Sequence, residues 1–600
     1  MVSPAVFLLV VGFYLLSAIP NFSGASPLRW DSRHADDGAG RPGVAQEPDG
    51  WAKHDARVGA VASESSICSE IGTNMLKLGG NSADAMVATV FCVGVVGMYH
   101  SGIGGGGFML IRAPNNTYEF VDFRETAPAA AFQDMYTNNT DASMLSGLAS
   151  LLLTDGLFSS SGVPGELRGL EYLHKKYGFL SWRTVMKPAI SLARCGFPVT
   201  QDLVHYMKAG TKARDFLTQD PTWALDFAPN GTRLGLGDTI TRKRYANTLE
   251  TISKHGADAF YTGSIAATTI KALQANNGTM TLDDLKNYKL VIRKTAQIDY
   301  RGYKITTATA PSSGPIILSA LNILEGYGDF FAPNNVNLST HRYNEAMRYA
   351  YGQRTHFGDP LFVQGLDQYQ DKILNKSLAF KLRANISDAR TQNISVYDPS
   401  GFESLETPGT SQMSAVDRSG LAISLTTTVN LYFGSKFMIP ETGIIMNNEM
   451  NDFSIPGSDN AFGFRPSPSN YIRPGKRPLS SMSPTIVTHP NGTVYFITGA
   501  AGGSRIITST LQSIVSVLDR NMTAPQALAA PRLHDQLVPN VSELEDSFDK
   551  GVIEFLKSRG HVVKLVERAA SSVQSIRVLP NGTFEAAGEP RQANSGGIAI

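Results

Sequence analysis

The chain has 600 residues, 42% hydrophobic and 18% charged, which is enough apolar material for a large core and too much for a disordered protein. Its 53 Lys+Arg nearly cancel 52 Asp+Glu, so no overall field draws it to nucleic acid or to an acidic membrane surface, and a small molecule is the expected partner. Three cysteines, Cys68, Cys92 and Cys195, are too few for a disulfide scaffold and form no metal motif; an oxidising compartment allows one bridge and leaves one thiol over.

Residues 5–19 are almost unbroken apolar sequence ending in small residues at Ser23, Gly24 and Ala25. That is the pattern of a signal peptide at 1–25, which directs the chain to secretion or to an extracellular or vacuolar face. The run barely misses the roughly 20 apolar residues of a spanning helix, so a single-pass membrane anchor is the alternative. Glycosylation acceptors of the form N-x-S/T, among them Asn115, Asn138, Asn230, Asn277, Asn337 and Asn581, agree with an exterior location. Residues 26–53, rich in Asp, Arg, Gly and Pro without apolar periodicity, read as a flexible lead-in, and the fold is expected to begin near His54.

Residues 66–78 read as a helix, Gly79-Gly80-Asn81 breaks it, and Ser82 is expected to cap a second helix reaching residue 98, so that the hairpin lies in the core. Residues 108–112 and 118–122 read as strands around the turn at 113–116, and helical patterns cover 166–194 and 258–275. From Ser411 strands dominate, at 413–416, 421–427, 485–489 and 493–498, followed by a helix at 506–518. Periodicity alone thus supports a mixed α/β protein without internal repeats. Gly102 to Gly107 satisfies G-x-G-x-x-G, but a strand pattern and not a helix follows it, so close backbone approach or tight packing explains these glycines better than a dinucleotide site.

Thr407-Pro408-Gly409-Thr410-Ser411 is a small-residue turn leading straight into a strand pattern. A Thr hydroxyl is a poor nucleophile without a base, and one solution makes the Thr the first residue of its chain so that its own α-amine serves. A preceding Gly leaves the hydroxyl room to reach the carbonyl that must be cut, although a turn-to-strand junction explains the dipeptide equally well.

Four further blocks follow in order: 426–435 (TTTVNLYFGS), 447–453 (NNEMNDF), 474–484 (PGKRPLSSMSP) and 499–504 (GAAGGS), with 101–108 and 123–128 (FRETAP) in the first half. In these blocks the sequence resembles the γ-glutamyltransferase family of N-terminal-nucleophile hydrolases, through nearly the whole chain after the leader. The resemblance implies an α/β four-layer αββα sandwich, helices outside two antiparallel sheets, formed by two chains from one self-cleaving precursor. Cleavage between Gly409 and Thr410 would give a large subunit of 54–409 and a small subunit of 410–600 that build one interleaved catalytic domain as a heterodimer. It also implies pairing of Cys68 with Cys92. The implied activity is hydrolysis of glutathione and its conjugates through a γ-glutamyl ester on Thr410, with transfer to water, amino acids or peptides.

A γ-glutamyl donor carries a free α-carboxylate and a free α-ammonium, so its pocket needs a fork-shaped cation, hydroxyl donors and acids. Arg124 suits the carboxylate, with Ser480 and Ser481 donating to it as the resemblance implies; Glu449, Asp452 and Asn430 suit the ammonium. Gly502 and Gly503 lie between a strand pattern and a helix start, where free backbone N–H groups can form an oxyanion hole. Thr428 resembles the hydroxyl partner of the nucleophile, and Tyr432 begins a segment resembling the lid. Gln412 stands where the family usually carries His, and Gln cannot take up a proton near neutral pH. No metal spacing occurs among the 11 His, so neither metal nor cofactor is expected. The rivals are a β-lactam acylase of the same fold, which needs a different side-chain pocket, and an uncleaved binding protein, for which Gln412 is the support.

Overall fold

In the computed structural model the described residues are 57–137, 140–143, 160–402, 409–457, 465–568 and 570–600. The leader, the lead-in, the acceptor Asn138 and the residues Thr407 and Pro408 lie outside them. The first strand, β1 (Gly59–Ser63), leads into the helical hairpin α1 (Ser66–Lys77) and α2 (Ser82–Val96). Every residue of α2 is buried, as its run of Ala, Val, Met and Phe permits.

Two details of this hairpin differ from the sequence reading. The cap of α2 is Asn81, not Ser82: the Asn81 side chain accepts from Ala83 N and Asp84 N, and the Asp84 carboxylate in return accepts from the Asn81 amide. Asn and Ser cap equally well, and the reciprocal bond from an acid three residues on selects Asn. The helix also stops at Val96 instead of 98, with Gly97 as its C-cap; a Cβ there would stand 2.3 Å from Glu64 Oε1. Cys68 and Cys92 are disulfide-bonded across the hairpin, and Cys195 is an exposed free thiol.

The expected antiparallel pair is β2 (Gly106–Arg112) and β3 (Tyr118–Asp122). The helical stretch 166–194 is two helices, α3 (Glu166–Tyr177) and α4 (Trp182–Cys195), parted at Gly178. Further on come β4 (Val291–Arg293), β5 (Thr295–Tyr300), β6 (Tyr303–Ala308), α5 (Gly314–Leu324) and α6 (Val336–Arg354). Beyond Thr410 lie β7 (Ser411–Asp417), β8 (Ala422–Thr428), β9 (Thr485–Thr488), β10 (Val494–Thr498) and α7 (Arg505–Leu518). The chain closes with β11 (Ser575–Val578), β12 (Phe584–Ala587) and β13 (Gly596–Ala599).

These strands form a seven-stranded sheet, β13-β1-β7-β8-β2-β3-β4, and a six-stranded sheet, β12-β11-β10-β9-β6-β5. Helices α1 to α3 cover the outer face of the first sheet, with α4 packed on α2, and α5 and α7 that of the second, with α6 packed on α5. A third cluster, with Ala60, Leu110 and Val416 from one sheet and Ile486, Ile497 and Ile576 from the other, fills the space between them. The architecture is therefore a four-layer αββα sandwich.

Alternation along β7 shows why its sequence mixes apolar and polar residues. Met413 and Ala415 join the core under the helices, while Gln412, Ser414 and Val416 turn to the other sheet. The buried hydroxyls there bond across the gap, Ser414 Oγ to Gln574 O and Ser424 Oγ to Thr498 O, both at 2.9 Å. Because β7 and β8 run between β1 and β2, residues from both sides of Thr410 share the first sheet.

Candidate active site

Thr410 stands at the mouth of β7, buried, and its hydroxyl donates to the carbonyl of Gly409, the peptide group that would be cut. Gly409 has φ +121°, and a Cβ added to it would meet Asn430 O at 2.0 Å, so only glycine fits this approach. Two hollows adjoin at Thr410. Arg124, Glu449, Asp452, Asn430, Thr428, Ser480, Ser481 and Gly503 line the first, and Tyr432, Gly502, His100, Tyr206 and Ser572 the second; Gly409 and Thr410 border both.

Arg124 follows the end of β3. Its amide donates to Asp122 Oδ1 at 3.0 Å, and its carbonyl accepts from Tyr288 Oη at 2.8 Å and Arg477 Nε at 3.2 Å. Asp122 is itself held by Arg293 at 2.6 Å and Arg477 at 3.1 Å. This framework aims the guanidinium at the acids opposite: Arg124 pairs with Glu449 and, at 2.5 Å, with Asp452, while Glu125 lies 4.0 Å away. Glu449 and Asp452 sit on one turn of 3-10 helix, Glu449–Asp452. Asn447 fixes that turn: its Oδ1 accepts from Glu449 N at 3.0 Å and Gly162 N at 2.9 Å, and its Nδ2 donates to Gly104 O at 2.7 Å.

Three carboxyl groups thus surround one guanidinium. Burial works to lower the Arg124 pKa, but Glu449, Asp452 and Glu125 hold it above its ordinary value. Burial pushes Glu125 up to about 8 and Glu449 well above the usual carboxylate range, against the pull of Arg124. Both Glu125 carboxyl oxygens are buried without a hydrogen-bond partner. The cluster is short of positive charge, and a ligand ammonium would supply it.

Around this cluster, Ser481 Oγ accepts from Arg354 Nη2 at 3.0 Å and Ser480 Oγ from Met482 N at 3.2 Å, so both hydroxyl protons remain for a ligand carboxylate. Thr428 Oγ1 accepts from Asn430 N at 2.7 Å. Asn430 adopts φ +75° and its Nδ2 donates to Asn448 O at 3.0 Å. Gly502 and Gly503, with φ of +122° and +60°, link the two-residue strand Ala500–Ala501 to α7. Among the described residues, their N–H groups donate to no backbone carbonyl. The Gly102–Gly107 run serves close approach, since a Cβ at Gly105 would meet Thr428 O at 1.9 Å and one at Gly104 would meet Ile445 O at 2.0 Å.

The family model described as Gamma-glutamyltranspeptidase matches residues 68–599. This chain belongs to the γ-glutamyltranspeptidase family. It is 61% identical over 558 residues to the glutathione hydrolase proenzyme of Arthroderma benhamiae, covering 91% of this chain and 94% of that one. It is 51% identical over 545 residues to a glutathione hydrolase of Aspergillus flavus, covering 90% and 89%. Among solved structures, a cephalosporin acylase from Bacillus halodurans superposes with a TM-score of 0.77 at 25% identity, over 93% of this chain and 99% of that one.

Against this γ-glutamyltranspeptidase fold, Gln412 takes a place apart from the first hollow. Its Nε2 donates to Met413 O at 2.9 Å and Ser424 Oγ at 3.1 Å, and its Oε1 accepts from Thr426 Oγ1 at 2.6 Å, all between the sheets. Sequence reasoning assigned no role to Glu125, Arg354, Glu64 or His100. Glu125 lies inside the 123–128 block, but Arg354 ends a helix without a motif, and His100 lines the second hollow, with Glu64 bonded behind it, only through the hairpin packing. Of potential metal ligands among the described residues, His341, Glu345 and His561 come within 4.8 Å of one another. The rings are engaged with each other, His341 Nδ1 to His561 Nε2 at 2.8 Å with His341 Nε2 on Ser387 O, and burial lowers His561 to about 3. The lone pair left on His561 Nδ1 accepts from Asn344 Nδ2 at 3.0 Å, so two neutral rings bonded in this way direct none at an ion.

Proposed function

We propose that Thr410, made the first residue of its chain by cleavage after Gly409, is the nucleophile with which this enzyme cleaves the γ-glutamyl bond of glutathione and transfers the γ-glutamyl group. The observation that carries the assignment is the contact of the Thr410 hydroxyl with the Gly409 carbonyl at a backbone geometry that only glycine accepts. Attack there gives an ester by an N-to-O acyl shift; hydrolysis of the ester leaves 54–409 and 410–600 as large and small subunits and frees the Thr410 α-amine.

In the catalytic cycle the amine takes the Thr410 hydroxyl proton, the oxygen attacks the γ-carbonyl, and the proton passes to the departing cysteinylglycine amine. Arg124, Ser480 and Ser481 hold the donor's α-carboxylate, and Glu449, Asp452 and Asn430 its α-ammonium. Gly502 and Gly503 N–H groups stabilise the oxyanion, Thr428 supports the nucleophile, and Tyr432 belongs to the lid. Water or an amino acid or peptide amine then removes the acyl group. The signal-peptide pattern at 1–25 supports export, and no described helix is long and apolar enough to cross a membrane. N-terminal sequencing of the purified protein tests the reading. Two chains, the smaller beginning at Thr410, are expected, with Thr410→Ala a single inactive chain; efficient cleavage of that variant would exclude Thr410.

A further inference from the structure

We infer that His100, oriented by Glu64, is the base that strips the extra proton from an amine acceptor, and that the hollow it lines receives that acceptor; this rests on Thr410 being the acylated nucleophile. The two hollows meet at Thr410, and the Arg124 side is matched to the donor's charged end, which leaves the His100 side for the attacking group. Arg591 borders the same side but is spent on Glu545 and Glu589, at 2.6 and 3.0 Å. His100 Nδ1 lies 2.8 Å from Glu64 Oε2, and the other Glu64 oxygen accepts from Ser411 Oγ at 2.8 Å, the residue after the nucleophile.

A carboxylate on Nδ1 holds the proton there and leaves Nε2 as the basic nitrogen. Nε2 has no hydrogen-bond partner among the described residues, and the ring is gripped by Tyr99 and Tyr206, centroids 4.6 and 4.4 Å away. The backbone is tied to the site as well: Val429 N, next to Thr428, donates to His100 O at 2.8 Å.

Proton bookkeeping gives the dyad a task. When water attacks the ester, one water proton restores the Thr410 hydroxyl through the α-amine, and a single base suffices. An amine acceptor arrives as an ammonium ion. It must lose one proton before its nitrogen can attack and a second when the C–N bond forms and the C–Oγ bond breaks. The second proton goes to Thr410 Oγ by way of the α-amine; the first goes to His100 Nε2 and from there to solvent.

The test is product partition at neutral pH with glutathione as donor and either glycylglycine, which is largely an ammonium ion, or hydroxylamine, which is already neutral. For each acceptor, the transfer-to-hydrolysis ratio is compared between parent and His100→Gln, which cancels any loss in forming the ester. The glycylglycine ratio should fall by about tenfold or more while the hydroxylamine ratio changes less than about twofold. Glu64→Gln, which keeps a polar partner for Ser411 but not the charge, should shift the glycylglycine ratio in the same direction by a smaller factor. An unchanged glycylglycine ratio in both variants, or an equal fall for both acceptors, would overturn the proposal. A parent enzyme giving no γ-glutamyl products at all would instead refute the reading of Thr410.

Discussion

Arg124 is bonded to Glu449 and Asp452, so in the proposed binding mode a donor's α-carboxylate would compete with two acids for the guanidinium while its α-ammonium would neutralise them. On the proposed roles of these residues, recognition is an exchange of ion pairs and should weaken if either donor charge is removed. Converting the α-carboxylate of glutathione to a neutral amide should cost roughly 2 to 5 kcal/mol, or about 30-fold to several thousand-fold in kcat/KM. Arg124→Lys should lose activity with the natural donor and discriminate less between it and the amide, since an ammonium lacks the planar fork. Equal kcat/KM for both donors in the parent would remove Arg124 from carboxylate recognition. Glu125 gives a second prediction at this scale. Its carboxyl is raised above its unfolded value, so its stabilising contribution is complete below the ordinary Glu pKa and is lost as pH rises through about 8. Between pH 5 and 9 the parent should lose roughly 2 to 5 kcal/mol of stability relative to Glu125→Gln. Thermal midpoints across that range check it, and a constant difference between the two proteins would contradict it.

At the level of elements, the junction into β7 matters most. Strand β7 is pinned on both edges, by β1 and by β8, so the Thr410 end cannot shift to relieve a clash at Gly409. Alanine at 409 would need the left-handed region and would press its Cβ to 2.0 Å from Asn430 O, in a segment where Asn430 and Phe433 are themselves at positive φ. Strain of about 1 to 3 kcal/mol slows a step through that geometry by about 5- to 150-fold, so Gly409→Ala should accumulate as uncleaved precursor. A time course on denaturing gels follows this directly; cleavage at the parent rate would show that the approach is not required.

At the level of the whole molecule, the proposed cleavage between 409 and 410 would cut no layer of the sandwich. β7 and β8 from the second part lie between β1 and β2 from the first, and β9 pairs with β6 in the other sheet. Separating the products would expose four sets of ladder hydrogen bonds, the pairing of β13 with β1 included, and the core between the sheets, so the chains should co-elute as one particle near the 64.6 kDa of the full chain, apart from any leader removed. Denaturant should be needed to part them. Size-exclusion in high salt without denaturant tests this, since a nick that let the subunits separate would mean that the sheets do not hold them.

Local patterns in the sequence were enough to establish the hairpin, read at 66–98 and ending at Val96, the pair 108–112 and 118–122, and the strands after 411, because side-chain alternation and helical spacing are short-range properties. The motif blocks likewise named Arg124, Asn430, Glu449, Asp452, Ser480 and Ser481, which the structure brings to one hollow with Thr410. Cap choice was not legible, since Asn81 and Ser82 are equally good caps and only Asp84's reciprocal bond distinguishes them. Nor was the orientation of Gln412, because strand parity gives the face but not which layer lies beyond it. Only the tertiary structure decided that the acids proposed for an ammonium also bind Arg124, that Glu125 carries a buried carboxyl without a hydrogen-bond partner, and that His100 lines the second hollow with Glu64 bonded behind it. Those relations join residues up to 328 positions apart, and at such separations it is sheet register and layer packing that set which charges meet.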